Sequence, residues 1–227
     1  MNIRIYDTYD QMSRAAADFV IAQLLLKPES HIGLTAGKTP IGMFAALVDS
    51  YRSGAVGFGQ ATFYNLEEKF GLAADDLATC RNYFHRHLLD HTDITDDQLL
   101  LPDQPADNLV KACATYDELL RSLPGHRLDM QILGIGENAH IGMNHPREAL
   151  PLGVHKETRG QVEYAAMGLR NILCAERILL IANGVSKAQA VADMCRGDVV
   201  TTTIPATLLQ LHPDVTVLLD CEAAALL

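Results

Sequence analysis

Two imidazoles five residues apart, His140 and His145, stand in a glycine-rich stretch that follows a short apolar run. The stretch reads Ile132-Leu133-Gly134-Ile135-Gly136-Glu137-Asn138-Ala139-His140-Ile141-Gly142-Met143-Asn144-His145-Pro146. Imidazole titrates near neutrality, so either ring can take up or give a proton under mild conditions. A lone histidine is more often structural or solvated, but a pair in such a loop shifts the balance towards proton transfer. Metal ligation is the third reading. A five-residue gap matches no helical ligand spacing, and no third ligand lies nearby in the sequence. His87 and His91 do have i, i+4 spacing, yet they lack a carboxylate partner of the HExxH kind and read as the solvated face of a helix. No metal is expected.

Three further segments can carry chemistry. Thr35-Ala36-Gly37-Lys38-Thr39-Pro40 links an apolar run to a helical pattern. A glycine turn feeding a helix presents free backbone N–H groups and the positive end of the helix dipole, which suits an anion such as phosphate. Lys38 adds an ammonium and Thr39 a hydroxyl; the plain alternative is an ordinary turn with glycine for geometry, and the two readings are even. Gly33 to Thr39 reads G-x-x-x-G-K-T, one residue short of the nucleotide P-loop, and Pro40 removes an N–H beside it. A nucleoside triphosphate is therefore not expected. Asn65-Leu66-Glu67-Glu68-Lys69 sets two carboxylates just past a strand, where burial can raise one towards general-base range. A charged surface turn is the competing account. Asn183-Gly184-Val185-Ser186-Lys187 again puts a glycine and a lysine where a strand passes into a helix. A first-turn lysine is electrostatically unfavourable there, which slightly favours a ligand role for Lys187.

These segments need a frame that brings them together. Thr8 with Gln11 forms a capping box before a helix over Met12–Leu26. Strands are expected at His31–Leu34, Ala61–Asn65, Met130–Gly134, Ile178–Ala182 and Val215–Asp220. Helices are expected at Ile41–Tyr51, with Pro40 suited to the first position, and at Cys80–Leu89, Asn108–Leu120 and Lys187–Arg196. Short apolar runs alternating with helical patterns imply an α/β fold: a Rossmann-like three-layer domain with a mainly parallel sheet. In such sheets ligands gather at the carboxyl ends of the strands, where all four segments lie. Thr92–Asp107, rich in Pro and Asp, is expected to be irregular. No repeat or long linker divides the chain, so residues 1–227 are expected to form a single domain.

The bulk properties narrow the partners. With 227 residues and 48% hydrophobic content the chain can bury a substantial core. A net charge of −10 shows no electrostatic footprint for nucleic acid or an anionic membrane, so any anion must be met by locally gathered cations. Five cysteines without CxxC spacing read as reduced thiols. The start MNIRIYDTYD has no apolar signal core and no run approaches a membrane span, so a cytoplasmic location is expected.

Taken in order, the four segments resemble the glucosamine-6-phosphate deaminase and 6-phosphogluconolactonase superfamily over most of the chain. Gly33–Pro40 is similar to its phosphate loop, which usually has a second glycine where Lys38 stands. Thr62–Leu72 resembles the strand and turn that carry the deaminase ring-proton base. Leu133–Pro146 resembles the catalytic loop L-G-x-G-x-D-G-H-I-x-F-N-E-P. Ser186-Lys187-Ala188 and Leu209–Pro213 resemble the phosphate-lysine segment and the stretch before the last strand.

The resemblance implies an amino-hexose 6-phosphate deaminase or isomerase of carbohydrate metabolism, with a small-molecule sugar phosphate as partner and no cofactor. His140 would assist ring opening, and Glu67 would move a proton between C2 and C1. Asn138 and His145 would orient groups, while Thr35, Gly37, Lys38, Thr39 and Lys187 would hold phosphate. The departures fall on the chemistry: Glu67 stands for an Asp, Asn138 for an Asp, Ala139 for a Gly and His145 for a Glu. An amide cannot take up a proton, and loss of a carboxylate beside His140 lowers that ring's basicity. No counterpart of the family's phosphate arginine follows the loop, so Lys38 or Arg159 would have to compensate. A sugar-phosphate-binding protein with little turnover is one alternative. A lactonase is another; it expects Asp-Glu-Arg after the second strand, where this chain has Glu-Glu-Lys. A homo-oligomer is compatible with the sequence.

Overall fold

A computed structural model describes residues 1–73, 75–102 and 108–227. Its elements are β1 (Asn2–Tyr6), α1 (Tyr9–Leu26), β2 (His31–Leu34), α2 (Ile41–Arg52), β3 (Thr62–Asn65), β4 (Glu67–Phe70), α3 (Cys80–His87), β5 (Leu99–Leu100), α4 (Leu109–Arg121), β6 (Met130–Leu133), β7 (His155–Arg159), β8 (Val162–Ala166), α5 (Leu169–Leu173), β9 (Arg177–Ala182), α6 (Ala188–Arg196) and β10 (Val215–Asp220). Seven strands form one sheet in the order β1-β10-β9-β6-β2-β3-β5, and every pairing in it is parallel. A second sheet, β4-β8-β7, is antiparallel.

The strands of the large sheet are apolar on both faces, as burial between two helical layers requires. Along β9, Leu179 and Ile181 join the core under α1, α2 and α3. Their alternates Ile178, Leu180 and Ala182 join the core under α4, α5 and α6. This is the expected three-layer α/β arrangement.

Thr8 caps α1 by accepting from the Gln11 N–H at 3.2 Å. The reciprocal bond is displaced by one residue, because Gln11 Oε1 accepts from Asp7 N–H rather than from the cap itself. Pro40 is the residue just before α2 and already helical in conformation. β1 is not predicted from the sequence: it is a five-residue edge strand with exposed Ile3 and Ile5. β4, β7 and β8 are also missed. They are short, charged and mostly half-exposed; β7 and β8 form a hairpin, and β4 pairs with β8 from far along the chain. His87 ends α3 while His91 closes a separate 3-10 turn over Leu89–His91, so the two do not share a helix face. Within Thr92–Asp107, a 3-10 turn at Asp96–Gln98 and the two-residue β5 are present. Residues 103–107 of that stretch lie outside the described residues. No described helix is long and apolar enough to cross a membrane.

Candidate functional site

The strand order decides where the chemistry can happen. Adjacent strands β9, β6, β2 and β3 deliver the segments after Ala182, Leu133, Leu34 and Asn65 to one end of the sheet. They enclose a cleft of about 640 Å³. All nine residues singled out from the sequence line it: Glu67, Asn138, His140, His145, Thr35, Gly37, Lys38, Thr39 and Lys187. Arg159, from β7 of the small sheet, lines it too, together with Glu137 and Met143. Gly33, the first glycine of the P-loop lookalike, lies inside β2 instead, where a Cβ would meet the buried Gln131 side chain at 2.2 Å. The glycine of the turn that follows β2 is Gly37, with φ +127°.

Glu67 and Glu68 part company on β4, whose pleat turns successive side chains to opposite faces. Glu68 is buried and accepts three backbone N–H groups: Lys69 at 2.8 Å and Cys80 at 2.7 Å on Oε1, and Arg81 at 3.0 Å on Oε2. It anchors the start of α3. Glu67 faces the cleft, and its Oε2 is buried without a hydrogen-bond partner. Burial, and secondarily the Glu68 charge, push its carboxyl up to about 7. The Asn65 side-chain amide donates to the Glu67 carbonyl and holds this turn of chain.

His140 is set by its own loop. Asn138 Oδ1 accepts from the His140 backbone N–H at 3.4 Å and lies 2.6 Å from the ring Nδ1. A backbone N–H can only donate, so the Asn138 atom is the oxygen, and the ring carries its proton on Nδ1. Nε2 is left with the lone pair. Burial first, then the Lys187 and Arg159 charges, bring the His140 ring down to about 4. No carboxylate opposes this, as the amide at 138 implies. His145 stacks on His140 with ring centroids 4.0 Å apart, and its Nδ1 is buried without a partner. Gly136 makes the fold of the loop possible: a Cβ there would meet His140 Nδ1 at 2.0 Å.

The loop over residues 35–40 is braced by contacts from distant elements. Thr39 Oγ1 donates to Asn183 Oδ1 at 2.6 Å, tying the first segment to the fourth. Tyr83 OH donates to the Gly37 carbonyl at 2.6 Å and Tyr9 OH to the Thr39 carbonyl at 2.9 Å. Asp220 accepts from Gly184 N–H at 3.0 Å and fixes the turn before Lys187. No local motif marks the tyrosines, because each reaches the loop from a distant helix. Asn183 stood inside a recognised segment and was legible there. Among the described residues, no group of three or more His, Cys, Asp or Glu side chains is placed to hold a metal ion.

A family described as glucosamine-6-phosphate isomerases/6-phosphogluconolactonase matches residues 7–218. The chain belongs to this family. Glucosamine-6-phosphate deaminases of Alkaliphilus metalliredigens and Halothermothrix orenii are 35% and 36% identical to it, over the whole of each chain. A solved monomeric glucosamine-6-phosphate deaminase superposes with TM-score 0.94 at 32% identity, covering both chains fully. The 6-phosphogluconolactonase of Trypanosoma brucei shares the fold, with TM-score 0.81 at 21% identity over 99% of this chain and 97% of that one. The protein is therefore a deaminase/isomerase-like member of the family, in carbohydrate metabolism.

Within that family the departures now have geometry. Ala139, where the resemblance expects glycine, holds φ +59° and is almost fully buried, at 2% exposure. A left-handed conformation costs a non-glycine residue about 1–2 kcal/mol. Here the Ala139 carbonyl accepts from Ala206 N–H at 2.9 Å, and its own N–H donates to Gly136 O at 2.9 Å, which hold it there. Arg159 brings a guanidinium to the cleft from β7. Glu157 Oε1 lies 3.8 Å from its Nε, and Glu157 is itself paired with Arg147.

Proposed function

We propose that the chain deaminates glucosamine 6-phosphate: with water, it yields the ketose 6-phosphate and ammonia. The observation that carries this reading is Glu67, a cleft-facing carboxyl with an unpartnered buried oxygen, held near pH 7 in its titration and accompanied by a neutral His140. A base poised near the working pH both abstracts and returns a proton efficiently.

The phosphate is received by Thr35, Gly37, Lys38 and Thr39 with Lys187, and Arg159 adds a third cation. His140 Nε2, the free lone pair, takes the proton of the anomeric hydroxyl and returns it to the ring oxygen, opening the sugar. Glu67 removes the C2 proton and delivers it to C1. The electron pair released at C2 reduces C1, the resulting C2 imine is hydrolysed, and the nitrogen leaves as ammonia. Asn138 keeps the His140 tautomer, and His145 orients the ring by stacking. These residues lie in one cleft, and residues 1–227 act as a single functional domain in this reading.

Ammonia and ketose release from glucosamine 6-phosphate and galactosamine 6-phosphate tests the reading. Release that disappears in His140→Ala supports it. Thermal stabilisation by the sugar phosphates without any ammonia sinks it and leaves a binding protein.

A further inference from the structure

The cleft does not end at Glu67. A second chamber of about 460 Å³ adjoins it along Ala36, Gly37, Glu67 and Met143, and its far side is formed by Lys69, Tyr83, Arg86 and Tyr164. With C1 and C2 of a hexose 6-phosphate at Glu67, the sugar nitrogen sits beside the Glu67 wall that the two spaces share. The chamber is cationic. Lys69 Nζ donates to the Ala78 carbonyl at 2.7 Å and Arg86 Nη1 to the Leu77 carbonyl at 3.0 Å. Among the described residues neither forms an ion pair with a carboxylate, and each keeps further N–H donors free. Lys69 stands two positions beyond Glu67 on β4, so both side chains share a face, one strand repeat of about 7 Å apart. That step suits a short acid-bearing group on the sugar nitrogen, met by the long reach of the two cations.

The main cleft agrees. Lys38, Arg159 and Lys187 outnumber its carboxylates Glu67 and Glu137, and position 145 brings an imidazole rather than a further acid. The lining as a whole carries a net positive charge.

We propose that this chamber binds the carboxylate of a short N-carboxyalkyl substituent, so that the enzyme accepts amino-hexose 6-phosphates whose nitrogen belongs to an amino acid. The inference rests on the deaminase reading above. The bonds changed are the same. The C2 proton passes through Glu67 to C1, the same electron pair oxidises C2 and reduces C1, and water hydrolyses the C2 imine. The leaving nitrogen takes up a proton and departs as a free amino acid instead of ammonia. No external oxidant or reductant is required.

N-carboxymethyl-glucosamine 6-phosphate is the probe, with glycine and ketose 6-phosphate release followed beside ammonia release from glucosamine 6-phosphate. The expected kcat/KM for the carboxymethyl substrate is at least equal to that for glucosamine 6-phosphate. Arg86→Met, an exposed position on α3, is expected to lower the ratio of the two kcat/KM values about tenfold, the effect of one charge-assisted hydrogen bond. Lys69→Met is measured in parallel, so that a folding defect in one variant leaves the other to decide. Turnover of glucosamine 6-phosphate with no glycine release, or a ratio that neither variant moves, overturns the chamber assignment alone. Turnover of neither substrate by folded wild-type protein overturns the deaminase reading with it.

Discussion

Glu67 and Glu68 are neighbours in the chain and opposites in environment. Three backbone N–H groups converge on Glu68 at the start of α3, while Glu67 turns into the cleft with an oxygen that nothing in the protein satisfies. The first carboxylate fixes the element, and the second is left available for chemistry. Two identical residue types thus acquire separate roles from one step along a pleated strand.

Replacing Glu67 by Gln is expected to lower kcat at least about a hundredfold, the scale of a lost general base. Ligand binding should survive, because the amide keeps the shape of the group. A kcat within a few-fold of wild type would remove Glu67 from the proton path.

The same group makes stability depend on pH. Its folded-state value, about 7, lies above the ordinary 4.5, so the native state favours the protonated form. Its contribution is fully present below about pH 4.5 and is lost as pH rises through about 7. The loss is on the order of 3 kcal/mol. Denaturation midpoints of wild type and Glu67→Gln, measured from pH 5 to pH 8, should therefore diverge with rising pH, with the variant ahead at the alkaline end. Parallel curves would refute the shift.

The acid limb of kcat/KM should also follow Glu67. It must be ionised to take the C2 proton, so activity is expected to fall as pH drops below about 7. His140, near 4, stays neutral throughout that range. A limb centred near 4 would instead assign the essential base to His140.

Asn138→Asp restores a carboxylate beside His140 and should raise the ring from about 4 towards its ordinary 6.5. Lys187→Met removes one of the charges that depress it and should shift the ring in the same direction while raising KM for the sugar phosphate about tenfold. Imidazole titration by NMR reads both changes. A ring unmoved in both variants would mean that burial alone sets its basicity.

Gly136→Ala is expected to cost about a hundredfold in kcat, because the added Cβ occupies the place of His140 Nδ1 and displaces the ring by about 1 Å. Ala139→Val should cost about 2 kcal/mol or more of stability, since a β-branched residue tolerates φ +59° poorly. Chemical denaturation and steady-state kinetics on the two variants separate these effects. Wild-type kcat in Gly136→Ala would show that the ring has room to move.

The sequence by itself determined the α/β class, five of the seven strands of the large sheet, and nine of the residues that line the cleft. Those features rest on local chemistry: apolar runs that only a doubly covered sheet can bury, and glycine turns at strand ends whose N–H groups need a partner. The order β9-β6-β2-β3, which sets four loops side by side, was not legible, because strand pairing depends on contacts far apart in the chain. The small sheet was hidden in part for the same reason: β7 and β8 form a local hairpin of short, charged strands, and β4 becomes a strand only by pairing with β8 far along the chain. That sheet is what splits Glu67 from Glu68, brings Arg159 to the cleft and opens the chamber at Lys69. Residue types named the available chemistry; burial and pairing, which exist only in the folded chain, chose which carboxylate would perform it.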